Sequence, residues 1–149
     1  MRSALEIETL SLHHQWTGIR AYFLQKIGQT YANLGDLDGA NTIDRQTLTF
    51  CQTGNYLQTQ GRTLTGLAQL ARLQGHPERA QADCLQSIEI LDRLGAKGDL
   101  AAADRQAGLR WDLAGDLPQS QIYRDCACEL FTEIKAPQQL AKIAARIDK

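Results

Sequence analysis

Valine is missing altogether from this 149-residue chain. No region alternates apolar and polar residues over a sustained run, so there is little from which to build strands. Long apolar runs are missing too. No stretch approaches the roughly 20 residues that a membrane helix needs. The opening "MRSALEIETLSLHH" lacks the uncharged apolar core of a signal peptide. The expectation is a cytoplasmic chain with no membrane contact. Charge of one sign is not in excess either, since the formal net charge is −1. That argues against a nucleic-acid partner held by phosphate attraction and against a polybasic membrane-binding surface.

Signatures of chemistry are equally scarce. Neither HExxH nor GxxxxGK[ST] occurs. His13 and His14 are adjacent and read as a polar helix end, and His76 falls in a turn. The cysteines are Cys51, Cys84, Cys126 and Cys128. A chain of this length does not need disulfide staples. On a helix Cys126 and Cys128 would face nearly opposite sides, which suits neither zinc nor a local disulfide. Cys51, Cys84 and Cys128 fall at or near apolar phases and read as small apolar filler. Asp36, Asp38, Asp44 and Asp116 read as caps and solvated positions, and Asp104 as the partner of a neighbouring arginine. The expectation is no metal, no cofactor and no enzymatic activity.

What the chain does contain is a repeat. Gly35, Gly75 and Gly115 stand 40 residues apart. In the same phase come Ala40, Ala80 and Ser120, then Gly28, Ala68 and Gly108, then Tyr31, Ala71 and Trp111. Helical spacing fills the intervals. Phe23, Leu24, Ile27, Tyr31 and Leu34 share one stripe, as do Leu64, Leu67, Ala68 and Ala71. Cys84, Ile88, Leu91 and Leu94 form another, and Tyr123, Ala127, Leu130 and Ile134 a fourth. The three glycines suit the left-handed backbone that closes a helix. Asp36 and Asp116 suit the N-cap that follows. Pro77, Pro118 and Pro137 suit a first helical turn. The spacing predicts helices over about 3–14, 19–34, 37–53, 56–74, 77–94, 99–114, 117–134 and 137–147.

This pattern resembles the tetratricopeptide repeat, whose small residues and aromatic fall at the matching positions. The period exceeds that family's usual length of about 34, as in its long-helix variants. The resemblance implies an all-α, right-handed α-α superhelix filling 1–149 as one domain. Three full helix pairs are expected, in repeats of about 19–55, 56–96 and 97–136. A half unit would precede them at 1–18, and a terminal helix would follow at 137–149. The first helix of each pair would line a concave groove. On the family's groove positions stand Tyr22, Gln25, Lys26, Gln29 and Ala32, then Arg62, Thr65, Gly66, Gln69 and Arg72, then Ala102, Arg105, Gln106, Leu109 and Asp112. The glutamines can donate and accept along a peptide backbone. The arginines can receive a carboxylate. The family's chaperone-tail clamp does not match: Gln25, Gln29, Gly66, Ala102 and Gln106 occupy its places.

The implied function is a non-catalytic scaffold or adaptor that holds a protein or peptide in that groove. One alternative is a peptide-sensing regulatory segment of a larger signalling protein. Another is an oligomerisation module, in which apolar residues at the array ends, Ile7, Leu10 and Leu12 among them, pair between copies.

Overall fold

A computed structural model describes residues 4–145, with side chains described for 16–145. Among them the chain forms seven helices and no strand. They are α1 (Ala4–Asn33), α2 (Leu37–Gly54), α3 (Leu57–Leu73), α4 (Pro77–Leu94), α5 (Lys97–Leu113), α6 (Leu117–Glu133) and α7 (Pro137–Ala144). Each packs on the next in sequence, and α3 also packs on α1 and α5. The result is three helix pairs and a seventh helix against α6.

The repeat is visible in which residues are buried. In α2 the buried positions are Ala40, Asp44, Thr47 and Cys51. In α4 they are Ala80, Cys84, Ser87 and Leu91, each 40 residues on. In α6 they are Ser120, Ala127 and Phe131. The turns repeat as well. Gly35, Gly75 and Gly115 have φ of 85°, 78° and 75°. Past each glycine, the N–H of Asp36, His76 or Asp116 donates back to Tyr31, Ala71 or Trp111. This is the six-to-one bond of a Schellman motif, and glycine bears its left-handed residue without strain. Asp36 and Asp116 cap the next helix through the N–H of Gly39 (2.9 Å) and Gln119 (3.1 Å). A second set of left-handed residues, Asn55, Gly95 and Lys135, joins successive pairs at the same interval.

Three expectations need correction. The break expected between about residues 14 and 19 is absent, because α1 runs unbroken from Ala4 to Asn33. The intervening "HQWTGI" holds no proline, and one interior glycine costs a helix only about 1 kcal/mol. No separate half unit therefore stands within residues 4–18, which belong to the first-type helix α1. Next, the stripe on α1 does not enter the core. Phe23, Ile27, Tyr31 and Leu34 are exposed and Leu24 is half-buried, while Ala21, Gln25 and Gly28 are buried. Leu94 and Ile134, at the ends of their stripes, are exposed too. Finally, Asp44 is neither a cap nor solvated; it is 4% exposed. The N-terminal residues Ile7, Leu10, Leu12, His13 and His14 lie outside the described side chains.

The core follows the helix pairing. Leu67 and Leu70 of α3 pack with Ala40, Leu37 and Leu48 of α2. Ala107 of α5 packs with Ala68 of α3 and with Cys84 and Ile88 of α4. Ala101, Ala127, Phe131 and Ile143 close the far end. Polar ties supplement this. Ser87 donates to the Gly61 carbonyl at 2.7 Å, joining α3 to α4. Asp112 of α5 accepts from Ser120 of α6 at 2.6 Å and pairs with Arg124. Cys51 and Cys84 are buried free thiols, which fits their reading as filler, whereas Cys126 is exposed. Among the described residues, no helix is long and apolar enough to cross a membrane.

Candidate binding groove

Because α1, α3 and α5 pack side by side, their residues at matching phases share one surface. A groove of about 380 Å³ runs across it. Eleven of the fifteen residues expected on groove positions line this groove. They are Tyr22, Gln25, Lys26 and Gln29 from α1, Arg62, Thr65, Gly66 and Gln69 from α3, and Ala102, Arg105 and Gln106 from α5. Ala32 and Leu109 do not line it, and Asp112 turns to Ser120 and Arg124 of α6. Arg72 lies elsewhere. It borders a separate cavity of about 290 Å³ between the turn at Gly75 and Leu113 of α5.

The groove also holds Asp99, which sequence reasoning passed over. The spacing predicts a helix start at residue 99 itself, whereas α5 begins at Lys97. That places Asp99 in the first turn, where a carboxylate complements the helix dipole. Its Oδ2 accepts from Arg62 Nε at 2.8 Å and from Gln58 Nε2 at 2.9 Å. Arg62 is thus engaged within the protein, and its geometry ties α3 to α5 before any ligand arrives. Lys26 reaches over the Tyr22 ring, with Nζ 5.5 Å from its centroid.

The amides are the distinctive feature. Gln25 and Gln106 are 7% and 8% exposed, and the Oε1 of each is buried without a hydrogen-bond partner. A buried acceptor left unmatched costs about 1–3 kcal/mol. The two stand on α1 and α5, on either side of α3. Between them Gly66 leaves bare backbone in the groove lining.

Behind that lining lies Asp44. A Cβ added at Gly28 would overlap its Oδ1, and one added at Gly66 would come 3.0 Å from Oδ2. The carboxyl therefore fits between α1 and α3 only because both positions are glycine. Gly28 thus faces Asp44. Burial pushes the Asp44 pKa from 3.8 up to about 7. Asp104, away from the groove and 6% exposed, behaves alike. Burial first, then the Asp92 charge, raise it to about 7, and the arginine pairing expected from the sequence does not offset them. Burial also raises the thiols of Cys51 and Cys84, to about 11 and about 12.

No family model matches this chain, and no curated protein matches it. The groove is thus read from its own chemistry. It contains two buried acceptors, the basic side chains of Lys26 and Arg105, and a carboxylate engaged by Arg62. Among the described residues, no group of three His, Cys, Asp or Glu side chains is placed to hold a metal ion.

Proposed function

We propose that this chain is a tetratricopeptide-like interaction module, a right-handed helical solenoid that binds a protein or peptide segment in the α1–α3–α5 groove without catalysing a reaction on it. One observation carries the reading. The Oε1 atoms of Gln25 and Gln106 are buried, unpartnered and set in the lining of the groove. Turned outward into the groove, both would accept from main-chain N–H groups of an extended segment crossing the three helices. Lys26, exposed in the groove, favours an anionic group on that segment. The 40-residue repeat supports the fold assignment, because its recurring residues serve turns and packing rather than chemistry.

Ala102 supplies the test. It lines the groove, its side chain is small and half-buried, and it makes no polar contact that a replacement would break. Ala102→Trp fills the groove directly. Partners captured from lysate by the original chain and identified by mass spectrometry should bind this variant at least tenfold more weakly, a loss of about 1.4 kcal/mol. Its helical circular dichroism should be unchanged. Equal capture by both chains, or no reproducible partner, would remove the groove from the account.

A further inference from the structure

Fifteen large apolar side chains are exposed among the described residues, and seven of them lie on α1 or just past its end. Six of these, Trp16, Ile19, Phe23, Ile27, Tyr31 and Leu34, follow one another at intervals of three or four, so they share one helix face. The sequence keeps the same phase toward the N-terminus with Leu12 and Leu5. Contiguous apolar patches of this kind mark interaction sites.

The 40-residue register shows what kind of element belongs there. Phe23 corresponds to Thr63 and Ala103, which are 59%, 1% and 0% exposed respectively. Ile27 corresponds to Leu67 and Ala107, at 44%, 4% and 4%. In α3 and α5 this face is covered by the preceding helix, through Ala40 and Leu48 of α2 or Cys84 and Ile88 of α4. Those covering helices run antiparallel to the helix they cover, since a short turn joins each pair.

We propose that the cover on α1 is the α1 of a second copy, laid antiparallel across a two-fold axis near Ile19. The helix is self-complementary in that arrangement. Leu34 stands opposite Leu5, Ile27 opposite Leu12, and Phe23 opposite Trp16. Its charges agree. Glu6 and Glu8 lie near the start of α1 and Lys26 toward its end, while Arg20 stands at the axis and favours neither orientation. An antiparallel partner sets acidic half beside basic half, whereas a parallel one sets like beside like. The two macrodipoles also oppose. A helix of 30 residues is about 45 Å long, enough for a continuous seam. Such an isologous contact closes at two copies, and the groove, on another face of α1, stays open.

The experiment is light scattering coupled to size exclusion on the full chain over a wide concentration range. The expected mass is twice 16.5 kDa. Phe23→Asp combined with Ile27→Asp should halve it with the helical signal retained, because both side chains are exposed. Leu34→Lys, at a position 78% exposed, should weaken the dimer independently if the double variant folds poorly. Orientation is read by cross-linking in a Cys126→Ser background. Leu5→Cys mixed with Leu34→Cys should form a disulfide, and Leu34→Cys alone should not. A single 16.5 kDa species at every concentration would overturn the proposal and leave the face to a different helix. A dimer untouched by all three apolar replacements, or a Leu34→Cys homodimer cross-link, would overturn it as well.

Discussion

With Asp44 replaced by asparagine, the protein should become more stable above neutral pH and little changed in mild acid. The Asp44 carboxyl is almost wholly buried, and its folded pKa is raised from 3.8 to about 7. In the unfolded chain it titrates near 3.9. Between those two values the native state holds a proton that the unfolded state has released. Stability therefore falls as pH rises from about 4 to about 7, and the loss is complete above the folded pKa. A shift of this size corresponds to about 4 kcal/mol. The asparagine amide would keep the shape without the charge, so a gain on the order of 2–4 kcal/mol is expected at about pH 8, with almost none at about pH 4. Denaturant melts of both chains at the two pH values measure it. A variant that is destabilised equally at both would show that the carboxyl is held by bonds to its charged form. Asp104, raised likewise to about 7, contributes with the same sign and keeps part of the pH dependence in the variant.

The second large effect concerns the α3–α4 pair. Leu91 is 0% exposed, and a Cβ built on Gly61 would lie 2.6 Å from its Cγ. Leu91 thus occupies space that Gly61 leaves open. Leu91→Ala should cost about 2–5 kcal/mol through lost burial and the cavity left behind. Gly61→Ala alone should cost about 1–3 kcal/mol through overpacking. Combined, the two should cost less than their sum, because the added methyl enters the vacated space. A coupling on the order of 0.5–3 kcal/mol in a double-mutant cycle would measure that fit. Strict additivity would mean that the two residues do not compete for one site.

Much of this architecture was legible in the chain. The glycines at 35, 75 and 115 mark turns that recur with the same hydrogen bonds. Asp36 and Asp116 read correctly as caps because the side-chain bond to the third residue onward is local. The second set of turns was harder to see. Asn55, Gly95 and Lys135 share a left-handed backbone but not a residue type, and lysine carries no signal for it. The groove residues followed from the family resemblance, whose groove positions recur along each first-type helix. Asp99 did not, because it sits at a helix start, where periodicity fades. Arg72 fell off the groove together with Ala32 and Asp112, the same phase of each unit, because all three stand near the end of a first-type helix, beyond the stretch that lines the groove. The exposed stripe on α1 could not be recognised as exposed. Its spacing matches that of the covered face of α3, and only the neighbouring helix distinguishes the two. Asp44 escaped for a related reason. Burial of a carboxyl depends on Gly28 and Gly66, which lie on two other helices.

The groove as the binding face is the central claim, and nuclear magnetic resonance titration tests it most directly. A captured partner segment would be added to the isotope-labelled chain, following the side-chain amide signals of Gln25 and Gln106 and the backbone amides of Gly66 and Ala102. The account predicts that these four move first and saturate together, while amides at the exposed positions Leu85 of α4 and Ile122 of α6 stay in place. Saturable shifts confined to α4 and α6, with Gln25 and Gln106 unmoved, would contradict it.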